Sequence, residues 1–405
     1  MNPPRVAFFT DSFHEMNGVA HTSRHYDAFT RRRDMPFLNV HAGPQTKLSR
    51  DSAVWTLELS RSGVGFRLEQ DMSYDLLFLR HRRKTAECLK KFGAEVVHIT
   101  GPSDVGMLGA LVAYDLKLPL VASWHTNIHE FAARRLLKTL SFIPSGPRRN
   151  IATLSERAVL ALSLRYYRFG HVLLAPNLEL VQLLQQGTSR PTFLMQRGVD
   201  TELFSPERRD RTGAELVIGY VGRLSPEKNV RALRDVEQAL LAAGVENFNF
   251  VIVGDGHERE WLQANIQRVE LTGVLRCEAL ARAYANMDIF AFPSSTDTYG
   301  NVVLESLASG VPVVVTADGG PKYLVTHGVT GLISDDAQAF QRNVVALARD
   351  TNALERMRVR AREFALCRYW HRVFEQVYDA YEYCLRAGRS LPLRQPAPAS
   401  ERTPA

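Results

Sequence analysis

The sequence predicts an α/β protein of two doubly wound domains that face each other across a cleft. Short apolar runs rich in β-branched residues alternate with longer amphipathic ones, the pattern of buried parallel strands joined by crossover helices. The alternation runs through the first half and restarts after Pro206, which implies two sheets rather than one large one. The chain has 405 residues, too many for one ordinary domain and comfortable for two of roughly 200.

In the first block, Val6–Phe9, Val96–Ile99, Leu118–Ser123, Val172–Ala175 and Thr192–Met195 read as strands, and Asp75–Phe92 and Gly106–Leu116 as helices. In the second, Leu216–Val221, Phe248–Val253, Asp288–Phe292 and Val311–Val315 read as strands, with helices at Val230–Ala243 and Ala279–Ala285. The hinge falls near Phe204–Asp210, where Ser205-Pro206 precedes a charged stretch. The domains are therefore 1–205 and 206–368, followed by a helix over about 369–388 that places Trp370 and Phe374 on one face. Residues 389–405, with Pro392, Pro396, Pro398 and Pro404 among Ala, Ser and Arg, read as a flexible tail.

Composition excludes several classes. Cys88, Cys277, Cys367 and Cys384 lie far apart with no C-x-x-C pair, against a zinc site or disulfide framework and in favour of reduced thiols in a cytoplasmic protein. The N-terminus lacks the pattern of a secretory signal, and no run reaches the roughly 18 apolar residues of a spanning helix. The net charge of +7 favours anionic partners. It is concentrated in Arg134, Arg135, Lys138, Arg148, Arg149, Arg157, Arg165 and Arg168, and again in His81–Lys84 with Lys90 and Lys91. No nucleic-acid motif accompanies these residues, so no nucleic-acid partner is expected. Interleaved with Leu136, Leu137, Leu140, Phe142 and Ile143, they suit the anionic inner face of a cell membrane, while a solvated helix face is equally compatible.

In open sheets, ligands bind beyond the carboxyl ends of the strands, so the informative residues follow the strands. After Leu216–Val221 comes Gly222-Arg223-Leu224-Ser225-Pro226-Glu227-Lys228, where Ser225 and Pro226 predict a helix start with Lys228 in its first turn. Arg223 and Lys228 beside free helix N–H groups suit a diphosphate, although two surface cations would look the same. After Phe292 and Pro293, a polar loop carries Asp297, and Tyr299-Gly300-Asn301-Val302 leads into a helix ended by Gly310. Glu305 lies in the apolar run Val302–Leu307 and needs donors, for which the vicinal hydroxyls of a ribose are suited. Asp297 is placed to reach a hexose hydroxyl, and the amides of Tyr299–Val302 point toward sugar and phosphate. In the first half, Asn17-Gly18 after the first strand permits a tight turn whose N–H can approach a phosphate. His125 follows the strand Leu118–Ser123 at the cleft edge, with His129 nearby.

The string from Ser294 to Pro312 resembles the E-x-x-x-x-x-x-x-E motif of the retaining glycosyltransferases of family four, which have the GT-B fold of two Rossmann-like domains. Arg197-Gly198-Val199-Asp200 with Phe204 and Pro206, Val253-Gly254-Asp255-Gly256, and Gly319-Gly320-Pro321 with His327–Leu332 are similar to further family segments in the same order. Asp297 stands where most members have Glu, a form associated with the lipid mannosyl- and glucosyltransferase branches, and Tyr323 stands where many have Glu. The resemblance implies a hexosyltransferase whose donor is a UDP- or GDP-linked sugar. In it Gly18, Gly254, Tyr299, Gly300, Asn301, Val302 and Glu305 hold the donor, His125, Arg223, Lys228 and Asp297 act at the reacting centre, and Asn17 and His129 meet the acceptor. It also implies that the C-terminal helix crosses back to the first domain. No D-x-D signature follows a strand, so neither a metal nor another cofactor is expected, with the cations stabilising the departing diphosphate during same-face attack. A membrane lipid such as diacylglycerol, a glycolipid or a phosphoinositide is the acceptor expected. A soluble sugar or polysaccharide intermediate and a silent sugar-nucleotide-binding module are the alternatives.

Overall fold

The computed structural model describes residues 3–15, 17–69, 72–125 and 145–388. His129, the basic residues Arg134–Lys138 and the tail from 389 lie outside the described residues.

The first half contributes β1 (Val6–Thr10), α1 (Gly18–Arg32), β2 (Phe37–Gly43), β3 (Lys47–Asp51), β4 (Val54–Ser60), β5 (Gly65–Glu69), β6 (Met72–Asp75), α2 (Arg82–Phe92), β7 (Val96–Ile99), α3 (Asp104–Leu116), β8 (Leu120–Ser123), α4 (Ser145–Tyr167), β9 (Val172–Ala175), α5 (Leu178–Thr188) and β10 (Thr192–Leu194). Among the described residues, eight of these strands form one sheet in the order β10-β9-β8-β7-β1-β2-β4-β3, parallel except where β3 runs against β4. β5 and β6 pair as a separate hairpin, so the helix expected from Asp75 begins only at Arg82, after a 3₁₀ turn over Phe78–His81.

The second half contributes β11 (Leu216–Val221), α6 (Ala232–Ala242), β12 (Phe248–Val253), α7 (Arg259–Asn265), β13 (Val269–Gly273), α8 (Cys277–Ala285), β14 (Ile289–Phe292), α9 (Asn301–Ala308), β15 (Val313–Thr316), β16 (Gly331–Ser334), α10 (Ala337–Arg349), α11 (Thr351–Leu366) and α12 (Trp370–Gly388). Its sheet is parallel throughout, in the order β13-β12-β11-β14-β15-β16. In both sheets the first strand laid down sits inside, with later strands added on either side, and the crevice above such a switch point is where ligands bind. Asp288 does not open β14 but anchors the linker, pairing with Arg209 at 2.8 Å and with Arg211 and Arg358 at 2.5 Å.

Chemistry local to each element explains its ends. Asn17, Asn177, Asp336 and Asp350 cap α1, α5, α10 and α11 with side-chain oxygens on free helix N–H groups, and Gly93 ends α2 at φ 73°. The two crossings between domains run side by side, with Val199 N–H donating to the Arg368 carbonyl at 2.9 Å. Gly198 makes that approach possible, since a Cβ there would lie 2.4 Å from the Trp370 nitrogen. Beyond that crossing α12 lies on the first domain, where Phe374 stacks on Tyr26 at 4.4 Å and on Trp370 at 5.4 Å. These side chains join Val6, Phe8 and Val121 in a core on one face of the first sheet.

Candidate active site

The N-termini of α1 and α9 converge in the cleft. Asn17 accepts from the N–H groups of Val19 and Ala20 at 3.1 and 2.9 Å, which occupies its side chain in capping. Gly18 therefore opens α1, and no positive φ requires glycine there. The requirement is room: a Cβ on Gly18 would lie 2.3 Å from Arg197 Nη1 and 3.5 Å from Asn301 Nδ2. Opposite, α9 is entered through Gly300 at φ 94°, a conformation that favours glycine, and the leading amides of such a helix have no carbonyl one turn back.

Arg197 lies between these two helix ends and is only 6% exposed. Its Nη1 donates weakly to Asn301 Oδ1 at 3.4 Å, and its Nε has no hydrogen-bond partner. Among the described residues no carboxylate pairs with it, and burial pulls its pKa down to about 10. In the sequence Arg197 is one residue of the turn at the domain end and carries no signal of a role, because a cation reads as a surface residue until the fold buries it.

Lys228 is placed by a 3₁₀ turn over Pro226–Lys228, which Asn229 ends at φ 52° before α6 begins three residues later. This corrects the expected helix start: Ser225 Oγ makes no cap bond, and Lys228 is not in the first turn of an α-helix. Lys228 Nζ donates to both oxygens of Asp297, at 2.7 and 2.8 Å, and Ser294 Oγ donates to Asp297 Oδ2 at 2.6 Å. Burial alone would raise the Asp297 carboxyl, but Lys228 and Ser294 hold it below the usual carboxylate range. Arg223 is exposed on the loop after β11. Gly254, at φ 141°, lets two strand ends touch, since a Cβ there would meet the Gly222 carbonyl oxygen at 1.9 Å.

Glu305 is held by a different partner, Tyr284, whose hydroxyl donates to Oε2 at 3.0 Å. Burial pushes its carboxyl up to about 7, against that bond. It lines a cavity at the domain junction with Asn301, Asp200, His21 and His25. The structure thus brings Lys228 to Asp297, and Gly18 to Arg197 and Asn301, while Glu305 faces the junction. Among the described residues no cluster of three His, Cys, Asp or Glu side chains converges as the ligands of a metal would.

The loop before α9 also bonds to the first domain. Thr298 Oγ1 donates to the His125 carbonyl at 3.0 Å, its own carbonyl accepts from Asn177 Nδ2 at 3.0 Å, and Tyr299 Oη donates to the Arg197 carbonyl at 2.9 Å. Tyr323 adds a further bond, to Glu179 at 2.7 Å. His125 is buried, with Nε2 2.8 Å from Ser123 Oγ. Burial, followed by the charge of Arg197, keeps its pKa well below the usual value for histidine, so it is neutral.

Two parallel-sheet domains thus face each other with anion-seeking groups at their joined helix ends, the frame of an enzyme that holds an anionic ligand in the cleft. Sucrose-phosphate synthase from Thermosynechococcus elongatus superposes with TM-score 0.70 at 17% identity, covering 95% of this chain and all of that one. WaaG, a glycosyltransferase involved in lipopolysaccharide biosynthesis, superposes with TM-score 0.60 at 14% identity over 92% and 98% of the two chains. The fold is GT-B. Residues 215–350 match the family model for glycosyl transferases group 1. The GDP-mannose-dependent alpha-mannosyltransferase of Mycobacterium tuberculosis (strain CDC 1551 / Oshkosh) is 33% identical over 303 residues, 73% of this chain and 74% of the relative. Its counterpart in Mycolicibacterium smegmatis is 34% identical over 306 residues, 73% and 76% of the two chains. The chain belongs to the glycosyl transferases group 1 family.

Proposed function

We propose that this protein transfers a hexose, with retention of anomeric configuration, from a nucleoside-diphosphate sugar to a lipid acceptor. The observation that carries the reading is Arg197, a buried cation without a carboxylate partner among the described residues, set between two helix N-termini. Such a group is costly to bury unless an anion completes it, and a diphosphate does so. In the reaction the bond from the anomeric carbon to the diphosphate oxygen breaks while a bond to the acceptor oxygen forms on the same face. The acceptor's proton passes to the leaving phosphate. Arg197, with Arg223 and Lys228, stabilises the charge that develops there, and no metal is invoked. Asp297 and Glu305 bind hydroxyls of the hexose and the ribose, and His125 holds the hexose. GDP-mannose is the first donor to try, because two relatives are named for dependence on it.

Two surfaces of the first domain support a lipid acceptor. On α4 and the turn after it, Leu154, Leu162 and Phe169 are exposed beside Arg157, Arg165 and Arg168. Before and along α2, Leu76, Leu77 and Leu79 are exposed near Arg83, Lys84, Lys90 and Lys91. No helix among the described residues is long and apolar enough to cross a membrane, so peripheral contact is the proposed mode. The test is incubation of the full chain with GDP-mannose or UDP-glucose and either diacylglycerol- and phosphoinositide-containing vesicles or soluble oligosaccharides, reading the anomer by NMR. An α-linked lipid product supports the proposal. Transfer only to soluble sugar overturns the acceptor, and nucleotide binding without transfer to any acceptor leaves a binding module.

A further inference from the structure

Two loops of the second domain bond to the start of α5 in the first. Asn177, only 5% exposed, uses both ends of its side-chain amide. Its Oδ1 accepts from the Leu180 N–H at 2.9 Å and caps the helix, and its Nδ2 donates to the Thr298 carbonyl at 3.0 Å. Two residues on, Glu179 accepts from Tyr323 Oη at 2.7 Å and lies 3.7 Å from Lys322 Nζ. The loop that holds Thr298 makes two more bonds to the first domain: Thr298 Oγ1 donates to the His125 carbonyl at 3.0 Å, and Tyr299 Oη to the Arg197 carbonyl at 2.9 Å. The Glu179 side chain is 68% exposed, so its ion pair adds little, and the buried amide of Asn177 is the stronger tie.

Each bond around Thr298 admits one direction. A backbone N–H only donates and a backbone carbonyl only accepts, so Leu180 and Thr298 together fix which end of Asn177 is oxygen and which is nitrogen. The carbonyls of His125 and Arg197 fix the hydroxyls of Thr298 and Tyr299 in the same way. From the opposite side the loop is backed by Gly320, whose N–H donates to the Asp297 carbonyl at 2.6 Å. A Cβ on Gly320 would lie 2.0 Å from the Thr298 carbonyl oxygen. Thr298 is thus held between the backbone of its own domain and a side chain of the other.

We infer that Asn177 is a positioning residue for the donor sugar, acting through the backbone of Thr298. Asp297 precedes Thr298 in the chain, and α9 opens just beyond it at Asn301. Both are assigned to the donor, and His125, whose carbonyl Thr298 holds, is assigned to the hexose from the first domain. Those assignments rest on the function proposed above; the clasp itself does not. The hexose side of the site takes its working shape only where the two domains touch. The ribose side does not pass through Asn177, since Glu305 is held by Tyr284 of its own domain. Loss of the clasp therefore lowers turnover and leaves nucleotide affinity in place.

Asn177→Ser separates the two roles of the side chain, because serine caps a helix as asparagine does but is shorter and has no amide nitrogen. Hydrogen exchange on the full chain reads the clasp without any substrate. The amides of Val303 and Leu304 close the first turn of α9 on the Gly300 carbonyl, at 3.0 and 3.3 Å. They are expected to exchange about three- to tenfold faster in Asn177→Ser, the scale of one hydrogen bond, with α5 unchanged. Thr298→Val, which removes the hydroxyl at constant shape, is expected to have the same effect, and Thr298→Ser to exchange as the unmutated chain does. With GDP-mannose or UDP-glucose, whichever the unmutated chain uses, Asn177→Ser is expected to lower kcat by about three- to tenfold. Calorimetric affinity for GDP or UDP is expected to stay within about twofold. Unchanged exchange at α9 in both Asn177→Ser and Thr298→Val overturns the clasp. Faster exchange with unchanged kcat, or with an equal fall in nucleotide affinity, overturns the positioning role. If the unmutated protein transfers no sugar while the exchange rates move as expected, the enzyme reading fails and the clasp stands.

Discussion

The second-domain wall of the cleft and the junction with the first domain handle charge in opposite ways. On the second-domain wall the acids are already matched: Lys228 grips both oxygens of Asp297, and Tyr284 serves Glu305. At the junction Arg197 is buried with no ion-paired carboxylate among the described residues, and burial keeps His125 neutral. A matched pair must exchange partners when a ligand arrives, so part of its interaction is returned on binding. Arg197 makes no ion pair among the described residues, although it feels the charge of Asp297, so less of its interaction is returned when an anion arrives. Arg197, the residue to which the sequence assigned no role, should therefore matter more than Lys228, the residue that the motif singled out.

The largest effect expected is at that position. Arg197→Met should lower kcat/KM by about 100- to 1,000-fold, the cost of losing one preorganised donor from a reacting oxyanion. Thermal stability should hold or rise, because an apolar chain of similar length replaces a buried charge. Steady-state kinetics and a melting curve on the same preparation measure both. A loss of stability with little loss of turnover would make Arg197 a structural residue and reverse the comparison. Next in size is the matched pair. Lys228→Ala leaves Asp297 sheltered and unpaired, and is expected to lower turnover about 10- to 100-fold and stability by about 1–3 kcal/mol. Adding Asp297→Asn should recover most of the stability and none of the activity. A double-mutant cycle on melting and on kcat checks it, and full additivity in stability would show that the pair does not form in solution.

Leu216–Val221 and Phe248–Val253 were legible to the residue because these interior strands are near-continuous apolar runs rich in Val, Ile, Phe and Tyr, broken by Gly219 and Asn249 alone. β3, with the sequence Lys-Leu-Ser-Arg-Asp, was not, since an edge strand exposed at four of its five positions has the composition of a loop. β2 escaped because Asn39 and His41, both buried, interrupt its apolar run. At the site, local motifs pointed to Gly18, Asp297 and Glu305 through turn and helix chemistry, which is short-range. The crowding that demands glycine at 18 comes from Arg197, and the bonds of Thr298 reach His125 and Asn177. These contacts depend on how two separately wound sheets come together, and no local window encodes that.

The smallest effect expected belongs to Glu305, and its sign separates the free from the bound protein. Its carboxyl is raised from an ordinary 4.5 to about 7, so in the free protein its contribution favours folding below 4.5 and is lost as the pH rises through about 7. Binding to a ribose diol runs the other way, because only the carboxylate accepts from both hydroxyls. Donor affinity should therefore tighten as the pH rises toward 7, by at most about tenfold per unit, and level off above it. Glu305→Gln cannot titrate, and its affinity should be weaker and flat across the same range. Calorimetric titration with GDP and UDP at a series of pH values reads this directly. If the wild-type and glutamine curves run parallel, Glu305 keeps its bond to Tyr284 when nucleotide binds, and the cavity it shares with His21 and His25 is not the ribose site.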